Sequence, residues 1–202
     1  MPDNCEFCWK LEHRGQDCAD FRIVEQTAMN SLVAARGPVT PGHLLVVPRR
    51  HMSAWAYATD EERSDATSLM DTAVAFLRDS YSAPVVMFEN GGDGCSSSGG
   101  CVGHAHLNLV STTAPRPRFL NRAILADRRS LEGWHRLRGT TYSVWADSMG
   151  TFVGFNVPSR SLRRHVMQWH DSVEYEDYFL FPNIELVREV EAKYAAFRAA
   201  VI

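Results

Sequence analysis

The sequence lacks the features that mark a membrane protein or a secreted one. No apolar run approaches the roughly 18 residues that a membrane-spanning helix requires. The first residues have neither the basic nor the apolar stretch of a signal peptide. The chain also lacks a large net charge of either sign, because its net charge is −3 at pH 7. We therefore expect a cytoplasmic protein whose partners include no membrane and no nucleic acid.

Lysine is nearly absent from the chain. The two lysines are Lys10 and Lys193, and arginine carries the remaining positive charge. Arginine binds phosphate through two parallel hydrogen bonds, although a high arginine content can equally reflect genome composition. Three arginines, Arg160, Arg163 and Arg164, lie close together near the C-terminal end. They form either a solvated helix face or a clamp that folds back onto phosphate groups.

A short segment from Cys101 to Val110 alternates polar and apolar residues, which predicts a β-strand. His104, His106 and Asn108 then share one face of that strand. A glycine- and serine-rich loop precedes it, and the backbone N–H groups of such a loop can bind phosphate. A neutral imidazole beside the loop can act as a nucleophile or a metal ligand.

Two other motifs lie upstream. Residues 38–51 contain Pro-x-x-Pro-Gly-His, an apolar run, a proline, two arginines and a histidine, and residues 5–8 contain Cys-x-x-Cys. Together with the histidine strand, these motifs resemble the zinc-carrying type of the histidine-triad (HIT) superfamily of nucleotide hydrolases and transferases. The resemblance covers residues 1–115 and leaves 116–202 as a C-terminal extension packed on that domain.

The resemblance implies an α+β fold, with an antiparallel sheet, a packed helix, and a C-terminal hairpin and helices. It also implies a homodimer that extends the sheet and a nucleotide, or a small-molecule conjugate of one, as the partner. His106 takes the role of the nucleophile that holds the nucleoside monophosphate covalently; the alternative is a strand histidine with a structural hydrogen bond. The candidate phosphate- and nucleotide-binding residues are His43, Asn90, Ser98, Gly99, Gly100 and Cys101.

Two positions depart from the HIT pattern. Asn108 replaces the third histidine, and a carboxamide can donate a hydrogen bond to a phosphoryl oxygen but cannot give up a proton at neutral pH. Ala35 stands where many members carry a ribose-binding aspartate. Residues 88–91 and 94–96 partly resemble elements of the galactose-1-phosphate uridylyltransferase branch, in which the third residue is glutamine.

The resemblance also implies a zinc site formed by Cys5, Cys8, His51 and His104. Two thiolates and two imidazoles make a closed tetrahedral site, which is structural because no position is left for water. The alternative is a redox-active pair of cysteines near the N-terminus. The chain has five cysteines, an odd number, and the three outside the proposed zinc site have no obvious partner.

Local patterns predict several elements. Thr59 and Glu62 form a capping box that opens a helix with apolar residues at helical spacing. We expect a helix over residues 119–138, a hairpin over 140–157, a short helix after Ser159 and a final helix capped by Asn183.

These features favour a nucleotide hydrolase or nucleotidyltransferase that cleaves a phosphoanhydride, with His106 and Asn108 as the catalytic residues. Two alternatives remain open. One is a nucleotide-binding protein whose catalytic site is silenced, and the other is a zinc-stabilised interaction domain.

Overall fold

The structure is a computed structural model that describes residues 5–13, 22–92, 103–120, 122–125, 131, 133–158, 160–175, 177 and 182–201. Within them the strands form one eight-stranded sheet of order β1-β2-β3-β5-β4-β7-β8-β6, in which every neighbouring pair is antiparallel. The strands are β1 (Arg22–Gln26), β2 (Asn30–Ala34), β3 (Leu44–Pro48), β4 (Val85–Gly91), β5 (Leu107–Ser111), β6 (Arg122–Leu125), β7 (Tyr142–Asp147) and β8 (Gly150–Phe155). The helices are α1 (Glu6–Glu12), α2 (Asp60–Ser80), α3 (Ser161–Trp169) and α4 (Ile184–Val201).

The capping box predicted before α2 is present. The Thr59 hydroxyl accepts a hydrogen bond from the Glu62 N–H, and the Glu62 carboxylate accepts one from the Thr59 N–H. The apolar stripe of α2 packs on one face of the sheet, in a core that includes Leu69, Phe76 and Leu107. None of the described helices is long and apolar enough to cross a membrane.

The other face of the sheet carries two separate apolar clusters. In the first, called the α1 cluster, α1 covers β2 and β3; its members include Phe7, Leu11, Val33, Leu45 and Val47. In the second, called the α3 cluster, α3 covers β4, β5 and β7; its members include Phe88, Val110, Trp145, Leu162 and Val166. Strand alternation explains this arrangement, because consecutive residues of β3, β4 and β5 point to opposite faces.

The C-terminal part of the chain continues the same sheet. The predicted hairpin is present as β7 and β8, and β7 pairs with β4. The division at residues 115 and 116 stays a prediction, as does the homodimer.

The helix expected over residues 119–138 is wrong. The described part of this stretch contains strand β6, which pairs with β8, and a 3₁₀ turn over Trp134–Leu137. The edge of β8 offers unpaired backbone groups, and pairing with them outweighs a weak helical pattern. The helix that follows Pro158 begins after Arg160, while Ser159 lies outside the described residues. Asn183 caps α4 as predicted, since its side chain accepts a hydrogen bond from the Leu186 N–H.

Candidate functional site

The polar row of the histidine motif lies at the boundary between the α1 and α3 clusters. Asn108 on β5 pairs with Leu45 of β3 on one side and with Phe88 of β4 on the other. Leu45 belongs to the α1 cluster and Phe88 to the α3 cluster. The strand is shorter than predicted, because β5 begins at Leu107. The Ala105 N–H donates to the Met52 carbonyl at 2.7 Å instead of a strand neighbour. The row therefore lies where the cluster under α1 meets the cluster under α3.

His106 is held in one tautomer by the backbone. Its Nδ1–H donates to the His104 carbonyl oxygen at 2.9 Å, which leaves the lone pair on Nε2. Burial lowers the pKa of His106, and the positive charge of Arg163 lowers it further, against the opposing effect of the hydrogen bond to His104. The ring of Phe7 lies 5.7 Å from the imidazole, centroid to centroid. The geometry thus provides a neutral imidazole with a basic nitrogen.

His43 and Asn108 form a relay with fixed polarity. The Val39 N–H donates to His43 Nδ1 at 3.2 Å, so Nε2 carries the proton and donates to Asn108 Oδ1 at 3.0 Å. Asn108 Nδ2 donates in turn to the Phe88 carbonyl at 3.1 Å. One amide N–H of Asn108 makes no hydrogen bond within the described part of the chain. That N–H is the group with which Asn108 can contact a ligand.

Burial lowers the pKa of His43 to about 3, and Arg163 is the next cause. The imidazole is 1% exposed and both of its ring nitrogens are engaged. We therefore expect His43 to orient Asn108 rather than to contact a phosphate or donate a proton.

The predicted phosphate cradle is described only in part. The Asn90 Oδ1 accepts a hydrogen bond from the Ser143 hydroxyl at 2.7 Å, which fixes the amide against strand β7. Ser98, Gly99, Gly100 and Cys101 lie outside the described residues. Their assignment to phosphate binding stays a prediction.

Ala35, at the position of the ribose-binding aspartate in the HIT pattern, is 4% exposed and belongs to the α1 cluster. It packs among apolar side chains and offers no group to a ribose.

A cavity of about 790 Å³ lies between the loop that carries Val39 and Thr40 and the facing ends of α3 and α4. Its volume is typical of sites for small molecules.

Cys5, Cys8, His51 and His104 come together as the sequence predicted, with all their ligand atoms within 4.8 Å of one another. The His104 Nδ1 lies 3.3 Å from the Cys5 sulfur and 3.5 Å from the Cys8 sulfur. The His51 Nδ1 lies 3.4 Å from the Cys8 sulfur. A tetrahedral zinc ion with ordinary bond lengths separates a sulfur from a nitrogen by about 3.5 Å, so the four residues could hold zinc.

The protonation states also suit a metal. The His104 Nε2–H donates to the Pro48 carbonyl at 2.8 Å, which leaves the Nδ1 lone pair facing the two sulfurs. Burial lowers the pKa of His104 to about 4, so its imidazole is neutral. Burial raises the pKa of the Cys8 thiol to about 11, and Cys5 raises it further. A bound cation would displace the thiol protons.

The sequence left open whether Arg163 lies on a solvated helix face or close to phosphate groups. Of the three clustered arginines, Arg160 and Arg163 are partly buried and Arg164 is exposed. The charge of Arg163 acts on both His43 and His106. The cluster was visible in the sequence, but the spacing did not show which arginine would have buried guanidinium nitrogens.

No curated protein matches the chain. Among solved structures, a HIT family protein from Bacillus anthracis is 23% identical, with 55% of this chain and 74% of that chain covered and a TM-score of 0.46. A HIT family hydrolase from Clostridium thermocellum is 17% identical, with 59% and 100% covered and a TM-score of 0.44. A zinc-bound histidine triad family protein from Mycobacterium smegmatis is 17% identical, with 83% and 96% covered and a TM-score of 0.41.

The family model that matches is the HIT domain, over residues 19–113. This range includes His43, His51, His104, His106 and Asn108. Residues 19–113, a little under half of the chain, therefore match the HIT domain family.

Proposed function

We propose that the protein is a nucleotide hydrolase or nucleotidyltransferase that works through a covalent nucleotidyl-histidine at His106. The observation that carries this proposal is the hydrogen bond from His106 Nδ1–H to the His104 carbonyl, which leaves the Nε2 lone pair for attack on phosphorus. The match to the HIT domain and the similarity to a protein described as a HIT family hydrolase support the same class.

In the first step, Nε2 forms a bond to the α-phosphorus, and the bond from that phosphorus to the bridging oxygen breaks. The electron pair goes to the oxygen of the leaving group. In the second step, water or another acceptor attacks the phosphorus, the N–P bond breaks, its electron pair returns to Nε2, and the proton of an attacking water passes to the solvent. Splitting the displacement in this way replaces one difficult step by two easier ones.

The other groups of the site position this chemistry. Asn108 directs its remaining N–H to a phosphoryl oxygen, and His43 holds the amide in that orientation. Asn90 and residues 98–101 contribute to phosphate binding. Cys5, Cys8, His51 and His104 would hold a zinc ion, which would supply structural rigidity because four protein ligands leave no position for water.

The test is to trap the covalent intermediate. Nucleotides of the four common bases, labelled at the α-phosphate, are mixed with the protein and quenched in alkali, in which an N–P bond survives. We expect label on the wild type and on His135→Ala, which changes an exposed histidine, and no label on His106→Ala. Label that persists in His106→Ala would disprove the assignment of the nucleophile.

Two further outcomes identify the alternatives. Thermal stabilisation by a nucleotide without label or turnover would indicate a silenced nucleotide-binding protein. No stabilisation and no label with any nucleotide would leave the zinc-stabilised interaction domain.

A further inference from the structure

Helix α3, which comes from the C-terminal extension, is anchored beside the catalytic row. Its Leu162 and Val166 pack in the same cluster as Val39 and Phe88. Val39 donates to His43, and Phe88 accepts from Asn108. The helix therefore contacts the same residues that hold the relay in place.

Two hydrogen bonds fix the helix to the segment that follows β5. The His165 Nε2–H donates to the Pro115 carbonyl at 2.7 Å, and the Trp169 Nε1–H donates to the Thr113 hydroxyl at 3.1 Å. Because β5 also carries Asn108, the position of α3 is set relative to the site. The helix cannot shift along the sheet without breaking these contacts.

Arg163 lies on the side of α3 that faces the sheet. It precedes Val166 by three residues and Met167 by four, which places the three side chains on one helix face, and both later residues are buried. The Nε and Nη2 atoms of Arg163 are themselves shielded from solvent. Arg163 therefore lies on the helix face that packs against Val39 and Phe88, the residues that hold the relay in place. Its positive charge is also one cause of the lowered pKa of His43, after burial.

The reaction needs a group of this kind. Asn108 cannot protonate a leaving group at neutral pH, and His43 is held neutral by burial. A leaving phosphate needs no proton if its growing negative charge is stabilised electrostatically. A guanidinium group is always charged and binds phosphate oxygens through two parallel hydrogen bonds.

We propose that Arg163 binds the phosphate that leaves in the first step, so that the site takes substrates in which the attacked phosphorus is joined to a second phosphate. This inference rests on the proposed function of His106. The bond between the α-phosphorus and the bridging oxygen breaks, the bridging oxygen takes the electron pair, and Arg163 balances the resulting charge on the departing phosphate. No proton has to be transferred to the leaving group.

The experiment compares Arg163→Ala and Arg163→Lys with Arg164→Ala, which removes an exposed arginine from the same helix. Each protein is assayed on nucleoside diphosphates and on the matched nucleoside 5′-phosphoramidates, which lack the second phosphate. We expect kcat/KM for diphosphates to fall about 100-fold in Arg163→Ala, the effect of losing a charge-assisted pair of hydrogen bonds. The phosphoramidates should change less than about threefold, and Arg164→Ala should match the wild type on both. The lysine variant should lie between, because it keeps the charge and loses the paired hydrogen bonds.

Binding of inorganic pyrophosphate, measured by calorimetry, provides a readout that does not depend on turnover. We expect its Kd to rise at least about tenfold in Arg163→Ala and to stay unchanged in Arg164→Ala. If Arg163→Ala does not fold, Arg163→Lys must still show the weaker binding and the selective loss on diphosphates. Equal pyrophosphate binding by the wild type and the folded Arg163 variants would overturn the proposal.

The two proposals can fail separately. If the wild type labels His106 and the Arg163 variants cleave diphosphates at the wild-type rate, the role of Arg163 is wrong and the role of His106 stands. If His106 is never labelled but pyrophosphate binding depends on Arg163, catalysis is wrong and the phosphate-binding role of Arg163 stands.

Discussion

His104 links the two parts of the site to each other. Its side chain faces the sulfurs of Cys5 and Cys8 through Nδ1, while its main-chain carbonyl accepts the Nδ1–H of His106 at 2.9 Å. Any group that fixes the His104 side chain also fixes the carbonyl that sets the tautomer of His106. Residues around a metal site commonly orient groups beyond their own coordination shell in this way.

The first prediction concerns the metal. The purified protein should contain about one zinc per chain, and Cys5→Ser or Cys8→Ser should lose that zinc and several kcal/mol of unfolding free energy, because metal binding contributes to folding. Turnover should fall by no more than about tenfold, since the closed site takes no part in chemistry. Elemental analysis and thermal unfolding are the measurements.

Cys18→Ser is the control for these variants, because Cys18 lies outside the Cys-x-x-Cys motif in the sequence. It should keep both the zinc and the stability of the wild type. The prediction would be contradicted if purified protein that was never exposed to a chelator contained no metal.

The second prediction concerns the nucleophile. His106→Ala should retain the folded structure and bind nucleotide nearly as well as the wild type, while kcat falls at least about 10³-fold, because the variant has no group to form the covalent bond. Steady-state kinetics and a binding titration measure the two effects. A variant that keeps more than a few per cent of the wild-type rate would exclude covalent catalysis by His106.

The third prediction concerns the choice of leaving group. Asn108→His should raise activity on phosphoramidates more than on phosphoanhydrides, because an imidazole can donate a proton to an amine and a carboxamide cannot. The expected gain lies between about tenfold and 10²-fold. Rates on both substrate classes in both proteins decide the question. Equal changes on the two classes would show that residue 108 does not lie near the leaving group.

The fourth prediction concerns a carboxyl group on the opposite face of the sheet. Glu89 is 1% exposed and accepts hydrogen bonds from the Tyr142 hydroxyl at 2.7 Å and the Trp55 N–H at 2.9 Å. Burial raises its pKa from 4.5 to about 7, although both hydrogen bonds oppose the shift. The folded state therefore binds this proton more tightly than the unfolded state does.

Because the folded pKa is the higher one, the stabilisation is fully present below about pH 4.5 and is lost as the pH rises through about 7. The loss is on the order of 3 kcal/mol. Glu89→Gln should remove this part of the pH dependence, while Glu61→Gln, at an exposed position, should keep it. Denaturant unfolding at several pH values measures the slope. An unchanged slope in Glu89→Gln would show that Glu89 does not titrate in this window.

The sequence by itself determined those features that depend on short spacing. The Cys5 and Cys8 pair, the alternation around Asn108 and the capping box at Thr59 all involve residues a few positions apart, and local backbone geometry places such residues together. The resemblance to motifs of fixed internal spacing predicted the four cluster residues that the structure brings together, while the role of His106 as nucleophile stays a prediction.

Only the tertiary structure decided which distant segments meet. Strand β6 forms because β8 offers it an edge, and α3 reaches the site because Leu162 and Val166 fill the cluster around Phe88. The exposure of Arg164, the burial of Arg163 and the engagement of both nitrogens of His43 follow from that packing. Spacing along the chain does not encode these contacts, since they depend on how whole elements pack against the sheet.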